Sequence, residues 1–427
     1  MSTEPSTTIP IEKTAGSGKI WNKNFILLWQ GQLVSSFGDM FYEIALGFWV
    51  LAVTGSTAIM GTLMAASIAP RVIISPFAGV LVDRSNRKWL IVLMDVIRGI
   101  AIIFVAIAAY TGIIKVWMVF AAGVTMGVCA AFFDPSVSSS IPDIVPKTKI
   151  VKANSVFRMI HSVSGVMGSS IGGILYQALG APLMFLINGL SYIFSAGSET
   201  FIKIPKIERE AKEFKFWSEL KAGFVFIWNV KGLRLLMLLS AMLNFIAMIG
   251  FVLILPLFER TESLGPAKYG IVLAFFTAGM FLGMLTTSMI DIKPARRFVI
   301  FMVCGFIFSL CFAFFPVFID IFIMSPLLFL AGFTNSIINI FIGSVLQLTV
   351  PQDKRGKVFS LLGTISGGLV PLGMAFGGIL AEFIPIRILM TSSFTMMGLF
   401  FIPLLFDAAF RRFVNFNPEE DTLESIM

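Results

Sequence analysis

The chain has 427 residues, of which 57% are hydrophobic and only 13% charged, with a formal net charge of +8. A soluble protein carries charge on about a quarter of its residues, so these apolar residues exceed what one core can hide and face lipid as well. The positive charge does not indicate nucleic acid: the basic residues sit in short loops between apolar runs, the pattern that orients membrane proteins.

The first twenty residues are polar, with no apolar core or cleavage site of a signal peptide. Crossing a bilayer takes about 20 apolar residues. By that measure twelve spans are predicted, at 25–52, 57–82, 89–110, 114–139, 153–178, 181–201, 232–257, 268–290, 298–317, 321–347, 358–383 and 387–407. A polar stretch, 202–230, separates the sixth from the seventh. It divides the chain into an N-terminal bundle (1–201), a cytoplasmic linker (202–230) and a C-terminal bundle with its tail (231–427). Of the Lys and Arg residues, 25 fall in the tails and alternate loops beside one face, and four (Lys115, Arg260, Lys268, Arg387) beside the other. Both termini are therefore expected in the cytoplasm.

In the first span, Gln32, Ser36, Asp39 and Glu43 recur at four, three and four residues, placing them on one helical face. A charge at the bilayer centre costs about 2.5–3.5 kcal/mol on insertion scales and usually faces a wet interior. Asp39 and Arg71 lie at similar depth and are expected to form an ion pair, with Glu43 one turn further out. Both acids either serve structure alone or exchange a proton. Burial favours a neutral carboxyl group and a nearby arginine favours a charged one, which makes the unpaired Glu43 the better proton carrier.

Between the second and third spans stands Gly79-Val-Leu-Val-Asp83-Arg84-Ser-Asn86-Arg87-Lys88, a polar turn between apolar runs. The eleventh helix is expected to start near Gly356 or Lys357, and its N-terminal N–H groups and partial positive charge would suit Asp83. Asp95 and Arg98, three apart, form a structural pair on one face of the third span. Arg158 and the single histidine, His161, open the fifth. Ser240 and Asn244 interrupt the seventh, and Asn335, Asn339 and Gln347 the tenth. With Gln32 and Ser36 they are the cavity-lining candidates; most of the 45 Phe and 23 Met face lipid or pack helices. Cys129, Cys304 and Cys311 sit in apolar runs without metal or redox spacing and are expected to be buried small hydrophobes. No phosphate-cradling loop is present, no catalytic or metal constellation stands out and no cofactor is implied. The acidic tail, Glu419-Glu420-Asp421 with Glu424, is expected to be solvated.

The halves echo one another. Val156-Phe157, Ser164-Gly165 and Gly172-Gly173-Ile174-Leu175 recur as Val358-Phe359, Ser366-Gly367 and Gly377-Gly378-Ile379-Leu380, and Asp291 with Arg296 and Arg297 is a worn copy of the 79–88 turn. Parallel six-helix repeats are a known transporter architecture.

The turn reads G-x-x-x-D-R-x-x-R-K and resembles the loop between helices 2 and 3 of the major facilitator superfamily. The resemblance implies an all-α membrane fold of twelve transmembrane helices in two six-helix bundles. It implies that Gly79 permits close packing, that Asp83 caps a helix of the other half, and that Arg84, Arg87 and Lys88 latch one conformation, with Asp134 of the fourth span joining their charge cluster. Asn86 stands where the family has glycine; asparagine tolerates left-handed backbone better than most residues. Ser164-x-x-x-Gly168-Ser169-x-x-Gly172-Gly173 is similar to the antiporter motif of facilitator exporters, with serine for a glycine and for the proline. Small residues at this spacing also simply pack helices. Ser35–Asp39, Thr54–Ser56, Phe132–Pro135, Ile141-Pro142, Lys152–Ser155 and Ile187–Gly189 are most similar to the macrolide-efflux and enterobactin-exporter branch. That branch implies proton-driven export of amphipathic molecules by alternating access in a bacterial-type plasma membrane, by a monomer whose partners are substrate, protons and lipid, with no nucleic acid. A metabolite or lipid facilitator and a non-transporting scaffold or sensor are the alternatives.

Overall fold

A computed structural model describes residues 19–204, 216–418 and 420–421. Every regular element among them is helical. We number the long spans α1 (Lys23–Thr54), α2 (Thr57–Arg84), α3 (Arg87–Tyr110) and α4 (Val116–Ile144). One helical run, Lys147–Glu199, then covers 53 residues. Gly180 divides it, with φ 71° and ψ 175°, a conformation that glycine adopts readily and other residues rarely do. The flanking pieces are α5 (150–179) and α6 (181–199). The glycine contacts prove the reversal. Gly168 and Gly172 approach Met40 and Ile44 of α1 in parallel order, whereas Ser195 and Asn188 approach Gly31 and Gly38 in antiparallel order. Among the described residues, eleven continuous long apolar helices thus give twelve crossings.

The second half comprises α7 (Lys231–Glu259, broken after Phe251), α8 (Gly265–Met289), α9 (Pro294–Phe314), α10 (Ile321–Thr349), α11 (Gln352–Leu380) and α12 (Ile386–Phe406). A helix at Phe216–Asn229 lies within the stretch read as linker, and a short one at Ala408–Val414 follows α12. The latter docks by burying Phe410 and Phe413, while Asn415 Oδ1 accepts from Phe298 N at 2.9 Å. Glu420 and Asp421 of the acidic tail are exposed, as expected; Glu419 and Glu424 lie outside the described residues.

Three boundaries differ from expectation. α4 runs through Pro135 and Pro142 to Ile144 instead of ending near 139. The internal prolines free the carbonyls of Ala131 and Ser138, while the serine hydroxyls of this stretch bond other carbonyls of the helix: Ser136 to Phe132 at 2.7 Å, Ser138 to Asp134 at 2.8 Å, Ser140 to Ser136 at 2.6 Å. α11 begins at Gln352, four residues or more before the predicted start. Asn86 is not left-handed; with φ −75° it is the N-cap of α3, its side chain accepting from Trp89 N at 3.4 Å.

The halves meet along α2–α11 and α5–α8. A Cβ on Gly378 would fall 2.9 Å from the Gly61 Cα, and one on Gly173 would fall 3.1 Å from the Gly270 Cα. Gly173 and Gly378 are equivalent positions of the sequence repeat, so the internal echo marks the two places where backbones of opposite halves touch. Away from the termini these seams are tight. Toward the 79–88 turn they part: nothing lies within 4 Å of a Cβ at Gly79, Gly363 or Gly367. Hydrogen bonds between the halves clamp the α1–α2 end, and α2 and α11 leave space around Gly79, Gly363 and Gly367 toward the end bearing the termini.

Candidate transport pathway

The polar stripe of α1 divides on folding. Residues seven apart nearly superimpose along a helix, whereas four apart shift by about 40°. Gln32 and Asp39 therefore turn toward α6, where Gln32 Nε2 donates to Glu199 Oε1 at 3.3 Å and the Tyr192 hydroxyl donates to Asp39 Oδ1. Ser36 meets Ser164 of α5, with hydroxyls 2.7 Å apart, at the start of a π-helical turn, Ser164–Gly168. Glu43 is exposed and makes no hydrogen bond or ion pair among the described residues. Exposed charge at this depth indicates a wet chamber. Gln32 is half-buried and bonded to Glu199, and Ser36 belongs to the α1–α5 contact.

Asp39 and Arg71 do not pair. Arg71 Nη2 lies 2.6 Å from Asp134 Oδ2, with side chains 57% and 44% exposed. The depths match, but the direction around each helix is decided by which helices are neighbours, and α2 lies beside α4. Asp134 in turn is not at the mouth with Arg87, because α4 continues ten residues beyond it. The acid that meets Arg87 is Asp143, 2.6 Å from Nη1, both nearly buried; Nη1 also donates to Ser139 O at 3.0 Å. Arg84 is exposed, Lys88 half-buried with its ammonium 5.5 Å from the Trp89 ring, and the side chain of Asp83 lies outside the described residues.

Gly168 and Gly172 of the antiporter-like motif seat α5 on Met40, Phe41 and Ile44 of α1, whereas Gly173 faces α8. Asn244 and Asn339 bond carbonyls of their own helices, Ser240 O at 2.7 Å and Asn335 O at 2.9 Å; Asn244 and Asn335 are half-buried and Asn339 exposed. The three cysteines are free and buried.

Asp95 and Arg98 are buried, 3.5 Å apart. Glu199 beside them escaped the sequence reading, although an acid inside a predicted span was the available signal. The same signal marks Glu382 at the closed end. Just beyond α11, Glu382 Oε1 accepts from Ser56 Oγ at 2.7 Å, Thr57 Oγ1 at 3.0 Å and Ala58 N at 3.0 Å. It caps the first turn of α2 from the opposite half. Arg260 Nη2 adds a bond to Gly55 O at 2.7 Å. These donors, led by the Ala58 amide, hold the Glu382 carboxyl below its ordinary range.

Twelve crossings with two seams between halves, around a chamber open at one end, describe a transporter architecture. Residues 28–374 match the family profile described as Major Facilitator Superfamily. The chain belongs to the major facilitator superfamily. This facilitator is 23% identical to macrolide efflux protein A of Streptococcus pyogenes over 85% of its own length and 90% of the relative's. It is 22% identical to the multidrug efflux pump Tap of Mycolicibacterium fortuitum, over 84% and 89%. Its fold is similar to that of the nucleoside transporter NupG, with TM-score 0.70 at 14% identity over 92% and 99% of the two chains. It is also similar to a bacterial homologue of the human lysosomal transporter Spinster, inward-facing and unoccupied, with TM-score 0.66 at 15% identity over 94% and 98%. The chain is thus a multi-pass membrane transporter with efflux-pump relatives, and not an enzyme.

Proposed function

We propose that this facilitator exports amphipathic, macrolide-like molecules across a bacterial plasma membrane in exchange for protons. Its two halves, 1–201 and 231–427 joined by 202–230, rock about the α2–α11 and α5–α8 seams. The observation that carries the reading is Glu43, an exposed acid inside a chamber that is closed at one end and open at the other. The relatives named for macrolide and multidrug efflux supply the substrate class. Glu43 takes a proton when the chamber faces outward and releases it when the chamber faces the cytoplasm, alternating with substrate. Arg71 and Asp134, exposed to the same water, line the route.

Purified protein in proteoliposomes with an imposed pH gradient tests this with radiolabelled erythromycin. Wild type is expected to accumulate the drug against its gradient, with the proton-rich side receiving it. Glu43→Gln is expected to lose gradient-driven accumulation at least tenfold while retaining drug exchange between equal pH values. Gradient-driven transport that survives Glu43→Gln unchanged would remove Glu43 from the mechanism; drug moving only down its own gradient would favour a facilitator.

A further inference from the structure

Inside the first six helices, away from the chamber, lies a buried group of charges. Asp95, Arg98 and Glu199 are 0%, 6% and 1% exposed. Arg98 Nη1 is 3.5 Å from Asp95 Oδ1. Ser195, between the two acids, donates to Glu199 Oε1 at 3.2 Å and also faces Asp95. Gln32 donates to the same Glu199 oxygen. Asp95 Oδ2, Glu199 Oε2 and Arg98 Nε and Nη2 are buried without any hydrogen-bond partner.

One guanidinium cannot neutralise two carboxylates. Among the described residues, the elements packed around them supply no second cation. α1 brings Gln32 and Asp39, α4 brings Cys129, Phe133 (4.4 Å from the Arg98 guanidinium) and, further out, Asp134, which Arg71 already neutralises. α6 brings Tyr192, whose hydroxyl is committed to Asp39 and whose ring lies 5.5 Å from Arg98, and α5 brings His161 toward Asp39 only. An uncompensated buried charge is strongly destabilising. The bare carboxylate oxygens mark where the missing positive charge belongs, and a proton on one of them supplies it.

We propose that Asp95 and Glu199 share one exchangeable proton across Arg98, a proton site separate from Glu43. Asp39 and the Tyr192 hydroxyl connect it to the chamber, so that α1 carries titratable groups from Glu43 inward to the neighbourhood of Glu199. This extends the proton-coupled reading above to a second site.

Infrared difference spectroscopy across a pH titration tests the site without any substrate, on protein in lipid nanodiscs. Wild type is expected to show a protonated-carboxyl C=O band that shifts in D2O. Either Glu199→Gln or Asp95→Asn removes one of the two acids that share the proton and is expected to delete this pair's component of the band, whereas Glu43→Gln deletes a separate component and leaves this one in place. A band unchanged in both Glu199→Gln and Asp95→Asn overturns the proposal, as does its absence from wild type. In erythromycin proteoliposomes, Glu199→Gln is expected to reduce gradient-driven accumulation at least tenfold and to keep exchange. Wild type with the band but without erythromycin transport refutes the export reading and supports the proton site.

Discussion

Two arginine–carboxylate pairs with the same 2.6 Å separation differ in what they contribute. Arg87–Asp143 is nearly dry, and removing one partner of a buried pair costs about 3–5 kcal/mol. Arg71–Asp134 stands in water, where such pairs contribute about 1 kcal/mol or less. Asp143→Asn is therefore expected to lower the thermal unfolding temperature of the detergent-solubilised protein clearly, and Asp134→Asn to leave it nearly unchanged. Glu382 acts on a conformation more than on stability. Its carboxyl is held below the ordinary value of about 4 when docked on α2. Closure of that end is thus fully supported above the undocked value and loses support as pH falls through the docked one. Glu382→Gln is expected to open this end at neutral pH, read as a longer distance between spin labels on the exposed Val53 and Phe383. A distance that matches wild type at neutral pH would show that the clamp does not hold the end shut.

At the scale of elements, Gly61–Gly378 and Gly173–Gly270 let helices of opposite halves touch backbone to backbone, which any side chain prevents. Gly378→Val is expected to keep the closed end from closing and to reduce transport at least tenfold. Gly363→Ala, where a Cβ meets nothing within 4 Å, is expected to leave the form open at the termini side undisturbed, with an unchanged thermal unfolding temperature. The sequence repeat pointed to Gly173 and Gly378 but not to their partners, because Gly61 and Gly270 carry no shared local pattern. The 79–88 turn is the counterpart at the open end, with α11 starting at Gln352. In the cycle proposed above, Asp83 supplies a negative group for that helix start when the end closes. Asp83→Asn is expected to enrich the form open at the termini side, measured by accessibility labelling across the seam. Element type and order were legible because spans of 20 or more apolar residues admit only helices in lipid. Helix ends were less so: Pro135 reads as a stop, yet α4 continues through it to Ile144.

For the whole molecule, the distribution of Lys and Arg predicts residues 84–88 on the cytoplasmic side and Lys115 outside. Single cysteines introduced at 86 and 115 are expected to react with a membrane-impermeant maleimide from opposite faces; labelling from one face would refute the orientation. By itself the sequence determined the twelve-span membrane fold and the family, because hydropathy, span length and the Gly79–Lys88 motif are local along the chain. It also determined that the charged residues of α1 need a wet or paired environment, since lipid tolerates no other. Tertiary structure alone decided the partners: Asp134 and not Asp39 for Arg71, Asp143 for Arg87, Gln32 and Ser195 for Glu199, and the first turn of α2 for Glu382. Periodicity fixes depth and the spacing of a face along one helix. The direction in which that face points depends on which helices surround it, and that is a property of the packed bundle.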